Sequence, residues 1–181
     1  MLNPKDFKTC FGISSKCEDE NHVIFIDSDN IKYSDFVKDL LYLQNQYYLS
    51  DIYVLKTENG YNAFCLEKFK FNEVIKIIND ISTSCKDHLR IGENRGYLTL
   101  RMSRSKQIIS VIPKFTEIEN ELSLAHYLFF TEIMEYNLLN YDENKFDKLL
   151  KFDVVAYLSK KHGLPDLKID NLDEEFDYTY R

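Results

Sequence analysis

The chain has 181 residues, with 30 Asp and Glu against 23 Lys and Arg, a net charge of −7 and no tryptophan. That balance excludes a protein that coats duplex DNA through charge alone, and no stretch approaches the ~20 apolar residues of a membrane span. Hydrophobic residues make up 44% of the chain, 13 Tyr and 13 Phe among them, enough for the core of one domain with an appended helical piece.

Residues 1–21 read as an N-terminal segment. Met1-Leu2-Asn3-Pro4-Lys5-Asp6 lacks the basic start and apolar run of a signal peptide. Four cysteines, Cys10, Cys17, Cys65 and Cys85, are too few and too scattered for a disulfide framework. A cytoplasmic, reducing compartment is expected. Cys10, Cys17 and His22 match no familiar zinc-finger spacing and lack an evident fourth ligand.

The run His22-Val23-Ile24-Phe25-Ile26-Asp27-Ser28-Asp29-Asn30 is the most informative stretch. Its apolar half reads as a buried strand, which ends in two aspartates spaced i, i+2. Successive strand residues point to opposite faces, so Asp27 and Asp29 project the same way. Two neighbouring carboxylates repel unless a cation lies between them or solvent screens them. Mg²⁺ or Mn²⁺, held by one or two carboxylates plus substrate phosphates, is the cation such a strand end suits. The plainer alternative is that Asp27 to Asn30 are turn formers leading into a helix.

Ser34 caps an expected helix that begins at Asp35, with Phe36, Val37, Leu40, Leu41 and Leu43 on its apolar face. Strands follow at 51–56 and 61–66, joined by Thr57-Glu58-Asn59-Gly60, whose Asn-Gly pair is a strong hairpin signal. A second helix is expected over 72–81, a fourth strand over 97–102, and a fifth over 107–112, paired to the fourth through 103–106. The order is βαββαβ plus one strand. It predicts an α+β fold: a ferredoxin-like or RNA-recognition-motif-like sheet over residues 22–115, with helices on one face. The usual strand order 4-1-3-2 would set Asp27 and Asp29 between Gly60, Tyr61 and Asn62 on one side and Arg95, Gly96 and Tyr97 on the other.

Helical spacing returns in the 116–165 extension, first through Leu122, Leu124, Leu128, Phe129, Ile133 and Met134, then through Leu149, Leu150, Val154, Val155 and Leu158. Two C-terminal helices are expected to pack on the sheet or to offer a surface to a protein partner. His126 reads as a satisfied residue of that helix and Asp153 as part of a solvated face. Residues 166–181 read as an acidic, mobile tail.

Four of the five arginines, Arg90, Arg95, Arg101 and Arg104, fall within 15 residues. Between Lys86 and Lys106 six basic residues face two acidic ones, a local charge of +4 in an acidic chain. Guanidinium grips phosphate bidentately, so the cluster marks a candidate anion groove; the alternative is salt-bridging to nearby acids, each pair contributing little.

Together these residues resemble the catalytic core of archaeo-eukaryotic-type primases and primase-polymerases. The resemblance runs from Val23 to Met102. It rests on the Asp27-x-Asp29 strand end, the following helix, a small-residue hairpin at Thr57-Glu58-Asn59-Gly60-Tyr61-Asn62, and a basic strand. It implies metal-dependent nucleotidyl transfer in DNA replication, with a nucleoside triphosphate and single-stranded nucleic acid as partners and no membrane. Asp27 and Asp29 would hold Mg²⁺ or Mn²⁺, with Asp87 the nearest candidate for the third acid. Asn62, Arg95 and Arg101 would hold the triphosphate, and Tyr61 or Tyr97 would stack on a base, unless they serve ordinary sheet packing. The chain departs from the family twice: Asn62 stands where the family has His, and no later strand ends in an apolar-Asp pair. A divergent member, a minimal viral or plasmid member and a non-catalytic relative all fit these departures.

A second class is a non-catalytic binding module, in which a sheet of RNA-recognition-motif type holds single-stranded nucleic acid. The Asp-Ser-Asp strand end suits it badly, because carboxylates repel phosphate. A metal-dependent nuclease of the Asp-x-Asp-Asn type needs a parallel sheet, which the Asn-Gly hairpin opposes. A rolling-circle initiator needs a His-x-His pair, and His22, His88, His126 and His162 are isolated.

Overall fold

Val23, Ile24, Phe25 and Ile26 are all buried, as an apolar run bounded by turn formers requires. They form the centre of a strand in the computed structural model, which describes residues 11–102, 107–127, 130 and 169–170. The elements run β1 (Phe11–Ser14), β2 (His22–Asp29), α1 (Tyr33–Tyr47), β3 (Ile52–Lys56), β4 (Gly60–Phe69), α2 (Phe71–Asn79), α3 (Lys86–Arg95), β5 (Thr99–Met102), β6 (Gln107–Ile112) and β7 (Ile169–Asp170). A further helix begins at Leu124. The class is mixed α+β.

Among the described residues every strand pairing is antiparallel, and the strands divide between two sheets, β2-β4-β3-β6 and β5-β1-β7. The β2-β4-β3 part follows the expected order, with the hairpin at Asn59-Gly60. The expected neighbour of β2 is elsewhere. β5 pairs with β1, from Phe11↔Met102 to Ser14↔Thr99, and β6 adds to the far side of β3. β5 and β6 are therefore not a hairpin across 103–106.

The cause is β1, which lies in the segment read as merely N-terminal. Ile13 of β1 is fully buried in the core, and four residues are too few to show a period. The two sheets meet where the Val23 N–H donates to the Ser15 carbonyl at 2.9 Å. Residues 169–170, read as part of a mobile tail, pair with β1 instead.

Both faces of the larger sheet are covered, each at a different place. Tyr61 packs against Phe36 and Tyr33 of α1, at ring separations of 6.0 and 5.3 Å. α2 packs on β2, and the Tyr47 hydroxyl donates to Asp80, which ties the ends of α1 and α2 together. On the other face Phe64 stacks on Tyr53 and on Phe130 of the C-terminal helix, at 4.8 and 4.0 Å. That helix is capped by Ser123, whose hydroxyl accepts the His126 N–H.

α1 starts one residue before Ser34 and has no side-chain cap. Its buried face is Phe36, Leu40, Leu43 and Gln44, while Leu41 is exposed. α3 is the helix that residue pattern does not announce. Lys86-Asp87-His88-Leu89-Arg90-Ile91-Gly92-Glu93-Asn94-Arg95 buries only Leu89 and Gly92. A Cβ on Gly92 would stand 2.3 Å from Leu98 Cδ2, so that glycine lets α3 close onto the chain entering β5. Gly96 then ends the helix at φ 77°, in the left-handed region. The second C-terminal helix and Asp153 fall outside the described residues, as do Cys10, Arg104 and His162.

Candidate metal centre

β2 and β4 pair in a register that fixes the neighbours of the aspartates. Asp27 stands opposite Asn62, Ser28 opposite Tyr61 and Asp29 opposite Gly60. By the pleat, Asp27, Asp29, Gly60 and Asn62 share one face. Asn62 is buried, and its amide donates to the Asp27 carboxylate. Gly60 permits the strands to approach there: a Cβ would lie 2.1 Å from the Ser28 carbonyl oxygen and 2.9 Å from the Asp29 Cα. This side of the site lies where sequence reasoning puts it.

The other side does not. No strand pairs with the outer edge of β2 at Asp27 among the described residues; the chain between α2 and α3 runs along it instead. The Cys85 N–H donates to the Asp27 carbonyl at 2.7 Å, and the Ser28 hydroxyl donates to the Thr83 carbonyl. Asp39 of α1 accepts the Thr83 N–H at 3.1 Å and holds the same segment from beneath. These bonds bring Cys85, the N-cap residue of α3, to the carboxylates. One ligand atom each from Asp27, Asp29 and Cys85 lie within 4.8 Å of one another, with Asp27 and Cys85 half-buried and Asp29 exposed.

Asp87 is not a member of that group. It lies in the first turn of α3, where Arg90 binds its carboxylate at 3.0 Å, an exposed pair of small energetic weight. Arg95 ends the same ten-residue helix, about 15 Å along its axis from Cys85. Tyr97 follows Arg95, and Arg101 lies exposed on β5 opposite Gly12, in the second sheet. The structure thus gathers Asp27, Asp29 and Asn62; Arg95 lies at the far end of α3 from Cys85, while β5, which carries Arg101, is tied to the first turn of α3 by the His88–Thr99 contact. Tyr61 is on the opposite face of the sheet, with the Lys56 ammonium 4.2 Å above its ring and α1 behind it.

Cys85 is the residue that sequence reasoning missed. Its signal was faint: a cysteine in a Ser-Thr-Ser-Cys run with no apolar pattern around it. Among the other described histidines and cysteines, Cys17, His22, Cys65 and His126 are buried and His88 is half-buried. His22 Nδ1 meets the Ser15 hydroxyl at 3.0 Å, and burial lowers its pKa. Cys17 contacts His126 Nδ1 at 3.9 Å, and burial raises the pKa of its thiol. His88 bridges α3 to the Thr99 carbonyl at 3.1 Å.

Comparison with protein-family models, curated proteins and solved structures finds no match. Two same-face carboxylates, one of them oriented by a buried amide, fit a divalent cation.

Proposed function

We propose that this chain binds a divalent cation at Asp27 and Asp29 and, through it, the phosphates of a nucleoside triphosphate, as a primase-like nucleotidyltransferase core acting on single-stranded nucleic acid in the cytoplasm. The observation that supports this reading is the Asp27–Asn62 register pair: a carboxylate beside a second carboxylate, held in place by an amide from the next strand. The β2-β4-β3 strands with α1 on one face are the part of a ferredoxin-like sheet on which the reading draws.

In this reading Asp27 and Asp29 are the ligands and Asn62 is a positioning residue for Asp27. A bound cation supplies neutralisation of phosphate charge and activation of an attacking hydroxyl. Arg95, at the far end of α3 from Cys85, is assigned to the nucleic-acid strand rather than to the triphosphate, and Arg101, on β5, is assigned to the triphosphate. Among the described residues no helix is long and apolar enough to cross a membrane.

The test is calorimetric titration of Mn²⁺ with a nucleoside triphosphate into the wild type and the Asp27→Ala, Asp29→Ala double variant. Metal-dependent nucleotide binding in the wild type alone is the expected result. A folded wild type that binds neither reduces the aspartates to turn residues.

The placement of Arg90 and Arg95 on α3 and of Arg101 on β5, two elements joined by the His88–Thr99 contact, favours a second reading, a metal-free module that binds single-stranded nucleic acid over α3 and β5. Binding that persists in EDTA and weakens with salt, but fails in an Arg90→Ala, Arg95→Ala, Arg101→Ala variant, selects that reading.

A further inference from the structure

The donor set at the end of β2 is not the one that carboxylate spacing alone calls for. Its third member is sulfur. Cys85 is held there by its own backbone, through the 2.7 Å bond from its N–H to the Asp27 carbonyl, and by the neighbouring Ser28–Thr83 bond. Lys86, the next residue, turns its ammonium to the Ser84 hydroxyl at 3.1 Å and to the Ile81 carbonyl at 3.5 Å. The same segment carries Thr83 Oγ1, a buried oxygen with no hydrogen-bond partner among the described residues.

The chemistry of the three donors discriminates between metals. Magnesium takes oxygen ligands in an octahedral shell and does not seek thiolate. Zinc and its neighbours accept carboxylate oxygen and cysteine sulfur together. Tetrahedral bonds of about 2.0 Å to oxygen and 2.3 Å to sulfur set those ligand atoms about 3.5 Å apart. The three side chains, within 4.8 Å of one another, reach that spacing by small rotations.

We propose that Asp27, Asp29 and Cys85 form a mixed carboxylate–thiolate site for a borderline-soft divalent cation, Zn²⁺ foremost, with the remaining coordination left to water or a phosphate oxygen. Binding converts the Cys85 thiol to a metal-bound thiolate and releases its proton to solvent, one proton per cation. The inference shares with the preceding reading only the use of Asp27 and Asp29 as ligands, and it makes no use of a nucleotide.

Co²⁺ is the probe, because thiolate ligation gives a sulfur-to-cobalt charge-transfer band that oxygen ligation does not. The reduced full chain is titrated with Co²⁺ and then with Zn²⁺, beside Cys85→Ser, Cys10→Ser and the Asp27→Asn, Asp29→Asn double variant. Serine is a good N-cap, so Cys85→Ser keeps the start of α3; circular dichroism checks each fold. The expected result is a band in the wild type and in Cys10→Ser, abolished by Zn²⁺, absent in Cys85→Ser, with affinity down at least tenfold in the double aspartate variant. Protection of Cys85 from iodoacetamide by Zn²⁺ is the second measurement. A wild type with no band and no protection overturns the proposal, as does a Cys85→Ser protein that binds Zn²⁺ like the wild type. A band without nucleotide binding leaves this site standing and removes the nucleotidyltransferase reading. Mn²⁺-dependent nucleotide binding that is unchanged in Cys85→Ser, with no band, does the reverse.

Discussion

Asn62 faces Asp27 across the β2–β4 ladder, and its amide donates to the carboxylate. The pair is the most constrained part of the site, because Asn62 is buried and Asp27 half-buried. An amide donates at every pH and carries no charge, so it orients Asp27 without competing with a cation. Asn62→Asp replaces that donor with a second carboxylate, about 5 Å away between Cβ atoms. In EDTA at neutral pH the variant is expected to lose about 1–3 kcal/mol, from the lost bond and the repulsion. Added Mn²⁺ or Zn²⁺ should recover most of that loss. Thermal melts with and without metal check it; a variant as stable as wild type in EDTA would show that the amide does not hold the carboxylate.

Gly60 supports a second prediction at the same place. A Cβ there meets the backbone of Ser28 and Asp29 rather than a movable side chain. Gly60→Ala must push β4 away from the carboxylate end of β2, at a cost of about 1–3 kcal/mol for overpacking. Metal affinity is expected to fall with stability. Gly96→Ala is the contrast: no atom lies within 4 Å of its Cβ, and its penalty comes from φ +77° alone, at the far end of α3. Urea melts and Co²⁺ titration of both variants separate the two. Equal metal affinity in Gly60→Ala and the wild type would contradict the close approach.

The legible parts of this protein were those with a period or a hard local rule. The Val23–Ile26 run, the Asn59-Gly60 hairpin and the alternation that puts Asp27 and Asp29 on one face all follow from residue type and spacing. The register Asp27↔Asn62 follows from them once β2 and β4 pair. What the pattern did not carry was pairing between distant, short elements. β1 is only four residues long, so no period announces that it, rather than β2, takes β5. α3 buries two residues of ten and is defined by Gly92 and Gly96 rather than by an apolar stripe. Cys85 comes to the aspartates through backbone hydrogen bonds, which any residue at position 85 except proline would make. Such a neighbour is visible only in three dimensions.

Glu67 is a buried carboxyl inside β4, and desolvation raises its pKa. Its Oε2 accepts the Ser50 N–H at 3.0 Å, and Asn120 adds a further bond that pulls the pKa back down. The folded state therefore binds a proton that the unfolded state releases near the ordinary glutamate value of 4.5. Stability from this group is present below that value and is lost as pH rises through the folded pKa. Glu67→Gln keeps an oxygen for Ser50 and removes the charge. It is expected to match or exceed the wild type near pH 7 and to lose that advantage near pH 4. Denaturant melts at both values check the sign; an advantage that grows on acidification contradicts it.

His126 gives the opposite dependence. It is fully buried where the C-terminal helix meets β1 and β2, with Phe25 edge-on at 6.1 Å. Its Nε2 donates to the Ser14 carbonyl at 2.8 Å, since a carbonyl can only accept. Nδ1 therefore accepts from the Ser123 hydroxyl at 2.7 Å. A second proton has no place on this ring unless Ser123 turns away. Burial lowers the pKa to about 4, the Ser14 bond partly opposing it and the charge of His22 adding to it. Between pH 6.5 and about 4 the unfolded chain takes up a proton that the folded chain refuses, so this group's stabilisation falls with pH across that window. The full loss is about 3 kcal/mol. His126→Gln cannot titrate and is expected to be less stable than wild type at pH 7 by about 1–3 kcal/mol, for imperfect replacement of two buried hydrogen bonds. The gap should narrow as the pH falls to 4.5, because only the wild type loses this contribution. Melts at about pH 7, 5.5 and 4.5, which span that window, measure the gap directly. A constant gap would mean that His126 titrates alike in both states, and the buried Ser14–His126–Ser123 chain would then not exist in solution.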